Sequence, residues 1–85
     1  MKFGQTKIDG GLFKCARDKF LAHALNTVDE IRQHILKQCK GELDTITSID
    51  TNQWIIANRV TRAVIDELMA SGQITKSKRG EYITQ

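Results

Sequence analysis

Two adjoining helical segments constrain the fold of this chain more than any other feature. Apolar residues recur at three- and four-residue spacing over 59–71, which is typical of an amphipathic helix, and we expect a shorter helix over 51–57 before it. Gly72 ends the second segment, and Asn58 separates the two. Asparagine tolerates turn conformations and caps helices well, so we expect a sharp bend at this residue. The residues of the second helix that we expect to face inward are Val60, Val64, Ile65, Leu68 and Met69.

The segment after residue 26 carries the clearest helix start in the sequence. Thr27 and Glu30 have the spacing of a capping box, in which each side chain bonds the backbone N–H of the other residue. Gly41 is expected to end this helix in a left-handed conformation. We therefore predict a helix over 28–40, followed by a brief strand near 45–47.

An amphipathic pattern also covers 12–25, after ten residues that we expect to be loose or extended. This helix carries more apolar surface than a helix on a small domain must bury, so two interpretations stay open. It packs back on the rest of the chain, or it forms a homodimer interface. The chain accordingly divides into a basic extension over 1–26 and a domain over 27–85. The expected interface residues are Phe13, Phe20, Leu21 and Leu25.

The C-terminal segment has the pattern of a β-hairpin. Strands are expected over 73–75 and 81–84, with a basic turn over 77–80 between them. Gly80 supplies the backbone freedom that a tight turn often requires. Tyr82 and Ile83 are adjacent, so the pattern leaves open which of them enters the core. Together with the helices, this hairpin indicates an α+β fold that is mostly helical.

The run Leu68-x-x-x-Gly72-x-Ile74, followed by the basic turn and by Gly80-x-Tyr82, resembles the end of a winged helix-turn-helix domain. In that superfamily this segment closes the third helix and builds the wing. The resemblance extends over 27–85 and implies a winged helix-turn-helix with an extra N-terminal helix and a C-terminal hairpin wing. The sequence departs from the pattern at 55–58, where the superfamily usually has a glycine or small apolar residue followed by serine, and at the adjacent Tyr82 and Ile83.

The resemblance implies nucleic-acid binding, with the third helix in the DNA major groove and the wing along the backbone. The residue types in these segments agree with this function. Arginine can hydrogen-bond guanine, asparagine can hydrogen-bond adenine, and cations on a turn can contact phosphates. We therefore expect a non-enzymatic transcription regulator, from a bacterial or phage context, that binds double-stranded DNA. The expected contact residues are Asn58, Arg59, Thr61, Arg62, Lys76, Lys78 and Arg79.

These signals also have structural interpretations. Arg62 lies four residues before Asp66 and can pair with it on a solvated helix face, and lysines keep an edge hairpin soluble. Trp54 is expected to anchor its helix in the core rather than to stack on bases. The alternative function is a protein-interaction or ribonucleoprotein docking module without DNA readout. Such a module would dock through the N-terminal helix or through 27–58, which carries three cations against five anions.

Composition and charge narrow the classes of protein to which this chain can belong. The net charge is +3 and the pI is about 9.1, which suits a polyanionic partner. No apolar run approaches the roughly 20 residues that cross a bilayer, and no secretory signal is visible, so we expect a cytoplasmic protein. Cys15 and Cys39 are expected to be reduced thiols. We expect no catalytic residue, cofactor or metal; Cys39, for example, lies five residues from His34, a spacing that does not share a helix face.

Overall fold

The computed structural model of the chain describes residues 2–3, 6–7 and 10–85. Within these ranges the chain is mostly helical and carries a small antiparallel sheet, an α+β arrangement that agrees with the sequence. The helices are α1 (Gly10–Ala22), α2 (Val28–Gln38), α3 (Lys40–Ile46) and α4 (Asp50–Ala70). The strands are β1 (Lys2–Phe3), β2 (Thr6–Lys7), β3 (Leu25–Asn26), β4 (Ile74–Lys76) and β5 (Tyr82–Thr84).

Residues 2–3 and 6–7 are extended, as the sequence predicts. Strands β1 and β2 pair antiparallel, with Phe3 opposite Thr6. Gly10 is already helical, since it is the first residue of α1. The other five residues that we expect to be loose or extended lie outside the described residues.

Helix α4 runs without a break from Asp50 to Ala70, so the predicted bend at Asn58 is wrong. The physical reason is the buried stripe, which continues across that position with helical spacing on both sides of it. The Asn58 side chain does not cap a helix, because its Oδ1 accepts a hydrogen bond from Arg32 Nη1 at 3.1 Å. Tertiary packing therefore overrides the local turn preference of asparagine. The buried residues of α4 are Gln53, Ile56, Ala57, Val60, Thr61, Val64, Ile65 and Leu68.

The start of α4 is held by the Gln53 side chain, since the N-cap residue, Ile49, makes no side-chain capping hydrogen bond. Gln53 is buried, and its Nε2 donates to Asp44 Oδ1 and to the Thr47 carbonyl, both at 2.7 Å. Its Oε1 accepts from Lys40 Nζ at 2.8 Å, and Lys40 also pairs with Asp44 at 3.1 Å. The hydrogen bond from Gln53, and then the contact with Lys40, hold the pKa of Asp44 below its usual value. One amide thus ties α3 and its following loop to α4.

The start of α2 at Val28 and the Thr27 half of the capping box match the prediction, whereas the end of the helix does not. The Glu30 carboxylate accepts from the Thr27 hydroxyl at 3.3 Å and not, as predicted, from the Thr27 N–H. Thr27 is the N-cap, and its Oγ1 accepts from the Glu30 N–H at 3.2 Å. The helix ends at Gln38, and Cys39 (φ −110°) joins it to α3. Gly41 lies inside α3, so the predicted left-handed stop is wrong. The predicted strand near 45–47 is also wrong, because buried Leu43 and half-buried Ile46 reach the core at helical spacing.

Helix α1 packs against both α2 and α4 and belongs to the same core as they do. It ends at Ala22, three residues earlier than the pattern predicts, because side chains from the sheet bind its last carbonyls. Asn26 Nδ2 donates to the Phe20 and His23 carbonyls at 3.1 and 3.2 Å, and Thr84 Oγ1 donates to the same two at 2.8 Å. Leu25 is therefore in β3 rather than in the helix. The division of the chain at residue 26 stays a prediction, although α1 supplies Leu12, Ala16 and Phe20 to the core.

The antiparallel sheet has the strand order β3–β5–β4, so the strand between α1 and α2 joins the hairpin that follows α4. The hairpin and the end of α4 before Gly72 confirm the predictions made from the sequence. Gly72 (φ +76°) and Gln73 donate to the Met69 and Leu68 carbonyls, which is the Schellman pattern. Tyr82 enters the core and meets Phe20 edge to face, with ring centroids 6.2 Å apart, whereas Ile83 is exposed.

Candidate nucleic-acid interface

The side of α4 that faces solvent carries two arginines. Ile55, Arg59, Arg62 and Asp66 follow one another at spacings of four, three and four residues, opposite the buried stripe, and we call this set the outer face of α4. Arg59, Arg62 and Asp66 are exposed, and Ile55 is half-buried. No ion pair between Arg62 and Asp66 is found in the described part of the chain. Both side chains are thus presented to solvent separately.

Thr61 does not belong to this outer face, so its predicted contact with nucleic acid is wrong. It is fully buried, and its hydroxyl donates to the Ala57 carbonyl at 2.8 Å. The buried stripe is two residues wide at each turn, so the residue after Val60 is covered as well. Met69, which we expected to face inward, is instead 42% exposed near the end of the helix.

The hairpin turn, residues 77–80, presents two cations at its corners. The Gly80 N–H donates to the Ser77 carbonyl at 3.1 Å, which makes Lys78 and Arg79 the two central residues of a four-residue turn. Ser77 Oγ accepts from the Arg79 and Glu81 N–H groups, each at 3.2 Å, and the Ser77 N–H donates to the Glu81 carbonyl at 2.8 Å. Lys78 and Arg79 are exposed, as is Lys76 on the preceding strand. The backbone of this turn is therefore fixed while its cations remain accessible.

Ser77 fixes the backbone of the hairpin turn, a role that we did not predict from the sequence. Its hydroxyl accepts hydrogen bonds from the Arg79 and Glu81 N–H groups, which would otherwise have no partner inside the turn. The signal was present, because serine is favoured at the first position of the commonest turn type. A second glycine with positive φ, Gly80 at +82°, completes the turn as the sequence predicts.

Trp54 lies beside the outer face and is not in the core, so the predicted anchoring role is wrong. It is 43% exposed, and the Arg32 guanidinium lies 4.6 Å from its ring centroid. Arg32 also binds Asp29 through Nη2 at 2.6 Å and Asn58 through Nη1 at 3.1 Å. Nothing in the sequence distinguished Arg32 from an ordinary solvated helix residue. The structure thus brings Asn58 into a cluster with α2 and leaves it half-buried.

The four residues expected at a dimer interface do not form one exposed patch. Phe20 is fully buried in the core of its own chain and cannot contact a partner, which corrects its assignment. Phe13 is half-buried against the same core. Leu21 and Leu25 are 45% and 50% exposed, and Leu25 lies opposite exposed Ile83 in the sheet.

A shallow groove of about 360 Å³ between α1 and α2 lacks the positive charge of the hairpin turn. It carries two lysines against two carboxylates, so its charges balance and offer little attraction to a polyanion. Burial, followed by the nearby charges of Lys19 and His23, lowers the pKa of His34, which favours its neutral form. The groove is lined by Lys19, Asp29, Glu30, Gln33, His34 and Lys37.

The Cys39 thiol is buried close to the Cys15 thiol, a proximity that the sequence spacing did not suggest. Burial, and then the neighbouring Cys15 thiol, raise the pKa of Cys39 to about 12. Because this pKa is above the ordinary value of 9.0, the neutral thiol stabilises the fold below about pH 9, and this stabilisation is lost as the pH rises toward 12. No group of three or more potential metal ligands occurs among the described residues.

We expect the two thiols to differ in reactivity. At pH 8, half-buried Cys15 should react with a chromogenic disulfide reagent in the folded protein, whereas Cys39 should react only after unfolding in guanidinium. Counting the thiols released with and without denaturant measures this, and a Cys15→Ser variant isolates Cys39. Rapid modification of Cys39 in folded Cys15→Ser protein would contradict the expectation.

No protein-family model, curated protein or solved structure matches this chain. Within the described ranges, moreover, every helix is too short or too polar to cross a membrane.

Proposed function

We propose that this chain is a winged-helix protein that binds double-stranded DNA through the outer face of α4 and the hairpin turn, and that it regulates transcription in the cytoplasm. The hairpin turn carries the proposal. Its two corner residues, Lys78 and Arg79, are exposed cations on a backbone fixed by four hydrogen bonds. Fixed cations bind phosphates at a lower cost in conformational entropy than cations on a loose loop.

The order of elements supports the winged-helix part of the proposal. A strand between two helices, β3, pairs with the second strand of a hairpin that follows the longest helix. In this interpretation α1, α2 and α4 take the places of the three helices of the superfamily, and β4 and β5 form the wing. The first helix is then α1, which the sequence treats as an extra element, and α3 is an insertion before the recognition helix.

The charge distribution supports contact with DNA rather than with a protein. Arg59 and Arg62 are exposed on the outer face of α4, and Asp66 is the one carboxylate of that set. The neighbouring Glu67 is held by Arg17 at 2.9 Å, which neutralises it. Arginines on an exposed helix can read guanine in the major groove, while cations on a wing contact the backbone.

A gel shift with random duplex and single-stranded competitors at 50 and 200 mM salt tests the proposal. If about four of the five expected cations contact phosphates, duplex affinity should fall roughly 100-fold between these two salt concentrations. Duplex competitor should displace the labelled duplex more effectively than single-stranded competitor. Duplex binding that is absent at 50 mM salt, or that does not change with salt, would contradict the proposal and favour the docking module.

A further inference from the structure

The Arg32–Trp54 pair has features that neither core packing nor the proposed duplex contacts explain. Trp54 is the single tryptophan of the chain, and 43% of its surface faces solvent beside the outer face of α4. A large aromatic ring gains most when it is buried, so its exposure calls for another role. Trp54, Asn58 and Arg62 follow one another at four-residue spacing, which forms one row along the edge of the outer face.

The ring is held by a guanidinium that is itself fixed. Arg32 is only 15% exposed, and it is bound by Asp29 and Asn58 while its guanidinium carbon lies 4.6 Å from the ring centroid. Its buried Nε has no hydrogen-bond partner among the described residues. An unpaired buried donor lowers the stability of the fold. The Trp54 ring does not offset this loss by burial, because it is partly exposed. The bonds to Asp29 and Asn58 fix the Arg32 guanidinium, and the guanidinium in turn holds the orientation of the Trp54 ring.

We propose that Trp54 is a stacking platform for an unstacked nucleobase, with Arg32 covering one face of the ring and the base occupying the exposed surface. This inference rests on the proposed nucleic-acid binding and names the ligand that it favours. Indole stacks on all four bases, because every base has a π-face, so the platform recognises the unstacked state rather than a sequence.

An unstacked base is available from a bulged duplex or from a single strand, and the test separates these sources. The parent is titrated with a perfect duplex, with a duplex that carries one bulged base, and with a single strand of the same length. Affinity and Trp54 fluorescence are measured together, since stacking quenches indole and no other tryptophan contributes. We expect the bulged duplex to bind about 5- to 100-fold more tightly than the perfect duplex and to quench the fluorescence more strongly.

Three variants show whether the ring itself carries the preference. Trp54→Leu should bind both duplexes equally, Trp54→Phe should keep part of the preference, and Leu21→Ala, at an exposed apolar position of α1, should keep all of it. Equal binding of both duplexes by the parent, with unchanged fluorescence, would overturn the platform and leave the proposed function intact. Binding of the single strand alone, with quenching, would support the platform and overturn duplex binding. Failure to bind any of the three nucleic acids would overturn both.

Discussion

Replacing Phe20 with alanine is expected to lower the free energy of unfolding by about 3–5 kcal/mol. Phe20 is fully buried, and its ring meets Tyr82 edge to face at 6.2 Å, so it joins α1 to the sheet. Its removal leaves a cavity where helix and sheet meet, and it also removes the aromatic pair. Urea denaturation followed by circular dichroism measures the change. A small domain of this size has so little stability that the variant should be largely unfolded at 37 °C.

Leu21→Ala is the matched control for Phe20→Ala. Leu21 is the next residue of α1 and is 45% exposed, so its truncation should change stability by less than about 1 kcal/mol. A Phe20→Ala protein with parental stability, but with an altered mass in light scattering, would contradict the buried position. It would restore Phe20 to the dimer interface that the sequence suggested.

The second large effect is expected for duplex binding. Arg62→Ala should weaken it by about 5- to 150-fold, because a base-reading arginine contributes about 1–3 kcal/mol. Lys78→Ala/Arg79→Ala should weaken binding to all duplex sequences alike and reduce the slope of log affinity against log salt by about two. Fluorescence anisotropy of a labelled duplex at several salt concentrations measures both effects.

Matched variants control for the loss of positive charge. Lys37→Ala removes one cation from the α1–α2 groove, and Lys19→Ala/Lys37→Ala removes two, as the hairpin variant does. Because the groove is not part of the expected interface, these variants should keep nearly parental affinity. If they weakened binding as much as the α4 and hairpin variants, net charge rather than the outer face of α4 and the hairpin turn would govern the interaction.

Features encoded by local residues could be predicted from the sequence. The Thr27 cap, the Gly72 helix end and the Gly80 turn each depend on residues within a few positions of one another. The exposure of Arg62, Lys78 and Arg79 also follows from local patterns, since Arg62 lies away from the apolar stripe of α4 and the other two lie in a polar turn.

The errors occurred where distant residues decide the local structure. Asn58 favours a turn in isolation, but its side chain binds Arg32 from α2 while the buried stripe of α4 passes through its position. The sequence alone suggests that Trp54 is a core residue, but in the structure its ring is exposed and packs against the guanidinium of Arg32 from α2. Gly41 and the β-branched residues near 45–47 have non-helical preferences, yet Leu43 and Ile46 reach the core only if the segment is helical. Intrinsic preferences of this kind are small, so tertiary contacts overrode them.

An NMR titration of the chain with a short duplex tests the DNA interface most directly. Backbone amide shifts should be largest at the four residues of the outer face of α4, which lie between 55 and 66, and in the hairpin turn, residues 77–80. Amides of the charge-balanced groove, such as those of Gln33 and Lys37, should stay nearly unchanged. Shifts confined to α1 and α2, or an unperturbed hairpin turn at saturating duplex, would contradict the proposed interface.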